Sequence, residues 1–470
     1  MSTLPKGWFI TDLGTAANYG VTEKVEPTDI ASDEWVLELE DIEKNTSKLV
    51  QRVQFRDRNS KSTKNRFAAG DVLYGKLRPN LNKVIIADEP GVCTTEILPL
   101  RCPGGIESKY VFYSLKRPEF LEYVTATNHG IDMPRLGTEA GKAARLPLPP
   151  HNEQRRIVAK LDSLSARSTH ARYDLDRIPQ LIALYKQAIL TKAFSGELTA
   201  DWRSERRQDA QVFMKKVGIG EASTQPSDNL PNGWHWVNAG DLCAIKSGIA
   251  LGKKRQAGTK LIELPYLRVA NVQRGWLNLV EIKSTLVAEK EAEALYLMPG
   301  DVLMNEGGDR DKLGRGWVWE GQIANCIHQN HVFRLRPKSK DIPSRYISYY
   351  ANEFGQRYFL DEGKQTTNLA SISMSKVAAL PIPLCTPDEM RLIIKRIEFA
   401  FAWIDKIATE HTRAAHLLPK LDQAILAKAF RGELVPQDPN DEPASVLLER
   451  IQAERADAKP STRRKPMPSN

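Results

Sequence analysis

The chain has 470 residues, with 67 Lys and Arg against 58 Asp and Glu, for a net charge of +9. That length exceeds one hydrophobic core and suggests about three structural units. With 41% hydrophobic and 27% charged residues, wholesale disorder is excluded. No apolar run approaches the roughly eighteen residues of a membrane helix, and MSTLPKGWFI carries no basic-then-apolar leader. Five cysteines (Cys93, Cys102, Cys243, Cys326, Cys385) without a Cys-x-x-Cys pair argue against a disulfide framework or a cysteine zinc site. A cytoplasmic setting is expected, and the basic excess permits a nucleic-acid partner without requiring one.

In chain order, Leu4-Pro5-Lys6-Gly7-Trp8 opens a first mixed segment. A basic stretch follows, with Arg52, Arg56, Arg58, Lys61, Lys64 and Arg66, and then the strand-like runs 70–74 and 83–86. A helix is expected near 108–124. Pro147-Leu148-Pro149-Pro150 then leads into a long helical pattern. The stretch 203–229 reads as a linker, after which the sequence starts again. Leu230-Pro231-Asn232-Gly233-Trp234 repeats the opening, and Gly300-Asp301-Val302-Leu303 repeats Gly70-Asp71-Val72-Leu73. Residues 331–335 read as a strand and 344–359 as a helix. Gln187–Leu198, containing Lys-Ala-Phe-Ser-Gly-Glu-Leu, returns at Gln423–Leu434 as Lys-Ala-Phe-Arg-Gly-Glu-Leu. A period this long marks an internal duplication. The offset drifts between 226 and 236 in the front parts and holds at 236 in the back parts.

The back parts are predicted helices with apolar residues in alternating steps of three and four, the a/d pattern of a coiled coil. The first seam is Ile157, Leu161, Leu164, Ser168, Ala171, Leu175, Ile178, Ile182, Tyr185 and Ile189. The second is Ile393, Ile397, Ala400, Ile404, Ile407, His411, Ala414, Leu418, Leu421 and Ile425. Each stripe needs a partner, and packing one helix antiparallel on the other buries both. Roughly 40 residues make a strut of about 60 Å. Pro179 and Pro419 are expected to kink or divide the helices. A helical pair inside an ordinary core is the alternative.

Pro147-Leu148-Pro149-Pro150-His151-Asn152-Glu153-Gln154-Arg155-Arg156-Ile157 resembles the entry to the helices of type I restriction–modification specificity subunits. The two Lys-Ala-Phe-x-Gly-Glu-Leu endings, the Ser-x-Tyr helix starts and the duplicated plan are similar to the same family. In the second copy, Cys385-Thr386-Pro387-Asp388-Glu389-Met390 lacks the Glu-Gln pair. The resemblance implies an α+β chain with two mixed α/β target-recognition domains separated by two long helices packed as an antiparallel coiled coil. The corresponding segments are a first recognition domain (1–150), a central helix (151–202), the linker (203–229), a second domain (230–385), a distal helix (386–434) and a C-terminal extension with a short helix and a basic disordered tail (435–470). The resemblance further implies that each domain reads half of a bipartite double-stranded DNA site and that the helices carry two methyltransferase subunits. Motor–nuclease subunits join that core, and S-adenosylmethionine, ATP and Mg act on the partners. Since 265–272 bears little likeness to 35–42, an asymmetric target is expected.

Arg suits guanine, Asn and Gln suit adenine, and Lys suits phosphate. On that basis the candidate DNA contacts in the first domain are Arg56, Arg58, Lys61, Lys64, Arg66, Lys76, Arg78, Asn80 and Lys83. In the second domain they are Lys253, Lys254, Arg255, Arg268, Asn271, Gln273, Arg274, Asn305, Arg310, Lys312, Arg315, Gln329 and Asn330. Solvated turns and internal polar networks are the competing readings. The segments 129–134 and 364–369 are either DNA-side loops or connectors. His328-x-x-His331 has no third ligand at finger-like spacing, so no metal is expected. No P-loop occurs, and the only Pro-Pro lies outside the Asn/Asp-Pro-Pro-aromatic setting that an amino-methyltransferase needs. The chain therefore reads as non-catalytic and cofactor-free. The alternatives are a stand-alone coiled-coil DNA-binding scaffold, or a methyltransferase or nuclease with an unrecognised site.

Overall fold

A computed structural model describes residues 4–58, 60–127, 133–206, 209–222, 226, 229–252, 259–308, 313–362, 364–365 and 370–457. Two continuous helices of 44 residues each, His151–Phe194 and Pro387–Phe430, keep the offset of 236 at both ends. Pro179 and Pro419 sit inside them on exposed faces and divide neither, so of the expected kink or division the division does not occur. A helix of this length keeps enough hydrogen bonds on either side of a solvent-facing proline to pass through it.

The compact units are built from both helices. The first comprises residues 1–176 and 412–470, the second 177–411. Each unit therefore takes the beginning of one helix and the end of the other. In the first unit Arg172 pairs with Asp422, and Arg156 with Asp441 at 2.6 Å. In the second, Lys186 pairs with Asp405 and Arg396 with Asp201, both at 2.6 Å. The apolar stripes depart from the strict heptad reading at one register in both repeats. Tyr185 and Leu421 are exposed, while Leu190, Ala193, Leu426 and Ala429 are buried. A straight helix turns every 3.6 residues, so a 3.5-residue pattern slips off its face by about 20° per heptad.

In the first unit a five-stranded sheet runs Glu23–Val25, Lys64–Phe67, Gly91–Thr94, Trp35–Leu37, Val53–Gln54, with Gly91–Thr94 and Trp35–Leu37 parallel. A three-stranded sheet has Val72–Gly75 between Val84–Ile86 and Ile97–Leu100. The helical segment near 108–124 is two helices, Ser108–Ser114 and Pro118–Thr127, divided at Pro118. Phe9–Asp12 pairs antiparallel with Arg145–Leu148, bringing the start of the domain to the foot of the long helix.

The second unit follows the same scheme. His235–Asn238 pairs with Pro381–Leu384, and Leu261–Leu267 lies parallel to Ile327–His328. Val302–Asn305 sits between Val332–Pro337 and Gly316–Val318. The expected linker is more than a connector. Its helix Ala210–Val217 buries Phe213 and Met214 in the core, because its apolar residues fall on one face. The helix Ala444–Asp457 does the same in the first unit through Leu447, Leu448 and Ile451. Ala210 N–H donates to Gly233, and Ala444 N–H to Gly7, in both cases at 2.9 Å. Among the described residues, no helix is long and apolar enough to cross a membrane.

Candidate functional site

Each domain is fastened to the long helices by a matching joint. Trp8 Nε1 donates to Glu153 at 3.0 Å, and Trp234 Nε1 to Glu389 at 3.0 Å. Tyr110 hydroxyl donates to the Pro147 carbonyl at 2.7 Å, and Tyr346 to that of Pro383 at 2.8 Å. The end of the other helix completes each joint. Gly432 (φ +75°) and Gly196 (φ +79°) are left-handed, and a Cβ on either would lie 2.4 Å from Pro5 or Pro231. That explains the glycine of Lys-Ala-Phe-x-Gly-Glu-Leu, which ends a helix where another backbone must come close. The two carboxylates differ in company. Glu389 is fully buried and also accepts from Thr199 at 2.7 Å and Arg203 at 2.6 Å. Glu153 has one oxygen without a partner among the described residues, and burial pushes its carboxyl up from the usual range. Gln154 caps the first helix region by accepting from Glu107 N–H and donating to the Pro149 carbonyl, both at 3.0 Å; Met390 takes its place in the second.

The surfaces carried by these joints differ. In the first domain most of the basic stretch is neutralised internally. Arg52 stacks 4.3 Å over Trp35 and pairs with Asp88 and Glu89. Arg58 pairs with Glu40 and Asp41, and Arg66 with Glu34 at 2.7 Å. Lys83 donates to the Leu39 carbonyl at 2.7 Å. Lys64 is 1% exposed, bonded to Glu38 at 2.8 Å and Ser62 at 3.0 Å. It is therefore corrected from a DNA contact to an internal residue, because its strand position points it into the sheet. Arg56, Lys61, Arg78 and Asn80 are exposed or partly so, and Lys76 is half-buried. Among the described residues, Arg56, Lys61, Lys76 and Arg78 form no ion pair.

In the second domain two amide candidates are structural. Asn271 is 3% exposed; its Oδ1 accepts from Arg268 N–H at 2.9 Å and its Nδ2 donates to Asn278 and Glu281 carbonyls. This is the turn that Asp41 closes in the first domain, where Asp41 accepts from Glu38 N–H at 2.8 Å. Both pairs are separated by three residues and follow equivalent strands, a signal the repeat contained. Asn305, fully buried, donates to the Val269 and Val272 carbonyls. Asn271 and Asn305 are thus corrected to internal posts, each satisfying carbonyls that burial would otherwise strand. Arg274 donates to the Asn352 carbonyl, Arg315 to that of Val269, and Gln273 to that of Ala270. Arg268 pairs with Glu281 at 3.2 Å. Gln329 and Asn330 are half-buried. Lys253, Lys254, Arg255, Arg310 and Lys312 lie outside the described residues, as do 129–132 and 366–369 and the tail beyond 457.

The two histidines do not share a site. His331 is exposed and pairs with Glu306 at 2.7 Å. His328 is fully buried, its Nδ1 2.6 Å from the Val332 carbonyl, and burial pushes its pKa down to about 4.

No family model matches the chain. The specificity subunit of the type I restriction enzyme EcoEI from Escherichia coli is 62% identical, covering 77% of this chain and 73% of that protein. The chain belongs to the type I restriction enzyme specificity subunits. Another member, that of EcoKI from Escherichia coli K12, is 25% identical over 96% of both chains. That of StySPI from Salmonella potsdam is 29% identical over 76% of both. Two solved structures share the fold of this specificity subunit at 22% identity. One comes from work on complex assembly and conformational transition of the type I R-M system (TM-score 0.66, 92% of this chain and 100% of that one). The other is the HsdS subunit from Thermoanaerobacter tengcongensis (TM-score 0.60, 92% and 98%). The residues that sequence reasoning passed over are the joints themselves. Trp8, Trp234, Glu153, Glu389, Gly196 and Gly432 all lie in the duplicated motifs.

Proposed function

We propose that this chain is the DNA-reading subunit of a type I restriction–modification complex, each domain reading one half of an asymmetric bipartite site. The observation that carries this reading is the contrast between two matched joints and the unlike surfaces they hold. Pseudo-symmetric fastening suits two half-sites on one duplex, and unlike loops suit unlike sequences. The two 44-residue helices pack antiparallel as a coiled coil, and their length sets how many base pairs go unread between the half-sites. The pairs Arg172–Asp422 and Lys186–Asp405 support that arrangement, because partner numbers fall as the first helix rises.

The chain performs no chemistry of its own in this reading. Two methyltransferase subunits dock on the helices and motor–nuclease subunits join through them, with S-adenosylmethionine, ATP and Mg on those partners in the cytoplasm. Phe399 and Trp403, one turn apart on the second helix, are 79% and 64% exposed. Exposed aromatics at that spacing suit a protein partner. The deciding experiment exchanges residues 1–145 for those of another member and sequences the methylome of a host carrying the whole system. One half-site changes, while the other and the spacer stay. Lengthening both helices by a turn, about 5–6 Å, changes the spacer by one or two base pairs and neither half-site. Methyl transfer by the pure chain alone would instead favour the enzyme alternative.

A further inference from the structure

We infer that Arg78 is the residue with which the first domain reads a guanine, an inference that rests on the function proposed above. Arg78 has φ +49° and ψ +60°. A left-handed backbone is unfavourable for any residue with a Cβ, and a residue preceding proline normally sits in the extended region; Pro79 follows. The conformation is held from several directions. Arg78 N–H donates to the Pro134 carbonyl at 2.7 Å, and Leu81 N–H returns to the Arg78 carbonyl at 2.9 Å. Leu77 bridges antiparallel to Arg135, and Asn82 (φ +46°) closes the turn.

The turn thus holds a strained arginine whose side chain, among the described residues, has no ion-pair or hydrogen-bond partner. Arg58, Lys64, Arg66 and Lys83 are tied back into the domain, and of the basic residues left without an ion pair among the described residues (Arg56, Lys61, Lys76 and Arg78) Arg78 alone has a left-handed backbone. The second domain supplies a control within the same chain. Gly70-Asp71-Val72-Leu73 and Gly300-Asp301-Val302-Leu303 are equivalent, and 71/301 make equivalent contacts. Asp71 accepts from Ala68 N–H and pairs with Arg101; Asp301 accepts from Met298 N–H and pairs with Arg336. Counting forward, Arg78 stands where the second domain has Gly308. There too the chain leaves its strand to bridge a later segment, Gly307–Gly308 against Ala370–Ser371. One position of a shared frame therefore presents a guanidinium in one domain and no side chain in the other. A guanidinium fork carried on a fixed backbone and otherwise unpaired can match the O6 and N7 of guanine in the major groove.

The test uses the complete complex with its methyltransferase partners, comparing wild type with Arg78→Gly, Arg78→Ala and Arg78→Lys by methylome sequencing and by the thermal midpoint of the purified chain. Wild type methylates one bipartite sequence. Arg78→Gly and Arg78→Ala lose about ten- to hundred-fold discrimination at a single guanine of one half-site and leave the other half-site unchanged; Arg78→Lys is intermediate. Arg78→Gly melts at the wild-type temperature or above, since glycine accepts the left-handed turn. A uniform drop in methylation with no relaxed position would make Arg78 a phosphate contact and overturn the inference. So would an unchanged consensus, or loss of specificity only alongside a lowered melting temperature in all three variants. If the wild-type complex itself shows no sequence-specific methylation, the proposed function fails before Arg78 is tested.

Discussion

The joints and the turns beyond them were copied from one template, yet they have fared differently. The indole–carboxylate bond is 3.0 Å in both repeats, and a Cβ on the left-handed glycine would meet a proline at 2.4 Å in both. Beyond the shared aspartate, the first domain's turn carries Lys76, Leu77 and Arg78, whereas the second has Glu306, Gly307 and Gly308 at the same positions. Attachment is a packing problem with one solution, so both copies keep it. Presentation is constrained only by what the surface meets.

The comparison can be broken most forcefully at the carboxylates. Glu389→Ala leaves Arg203 half-buried without its partner and strands Thr199 and Trp234, which costs about 3–5 kcal/mol. Glu153→Ala removes one bond and a desolvated charge and costs about 1–2 kcal/mol. Urea unfolding of the two variants measures the difference, and equal losses would mean the joints are energetically alike.

Acid should separate the two domains next. His328 occupies the place taken by Cys93 in the first domain, since Leu267 and Leu37 face them across equivalent parallel strands. A histidine held down to about 4 is neutral in the fold and protonated in the unfolded chain below about 6.5. Its contribution is intact above pH 6.5 and declines as pH falls toward 4, by about 3 kcal/mol at most. Burial pushes the Cys93 thiol up, so that position stays neutral throughout. Hydrogen exchange at pH 5 against pH 7 should show the second unit opening first, and His328→Gln should flatten that response.

Smaller effects should fall equally on both copies. Gly196→Ala and Gly432→Ala each combine a left-handed backbone with a proline in the way, about 2–3 kcal/mol by thermal melts. Tyr110→Phe and Tyr346→Phe each remove one bond to a carbonyl, about 1 kcal/mol. At the bottom of the scale, Phe399→Ala and Trp403→Ala leave stability within about 0.5 kcal/mol but reduce co-purification with the methyltransferase subunit.

The duplication, both long helices and the strands around 72–75, 84–86 and 332–337 are legible in the sequence because repeated motifs and apolar periodicity report on burial directly. Residue type alone does not separate a reading amide from a structural one. Asn271 and Asn305 carry the chemistry of adenine recognition, yet spend it on their own backbone. Lys64 lies in a basic run but faces Glu38 across the sheet, a pairing that only the register reveals. The structured part of the linker escapes sequence reading because its helix of eight residues is too short for a periodic signal to stand out from a polar stretch.

The division of the chain also has a consequence for its synthesis. The second unit is contiguous, whereas the first needs Leu426, Phe430, Leu447 and Ile451 to fill its core. On a ribosome adding about 5–20 residues per second, the domain translated first is the one finished last. It must wait, with apolar surface uncovered, until Ile451 has been added, while the later-encoded domain has already closed.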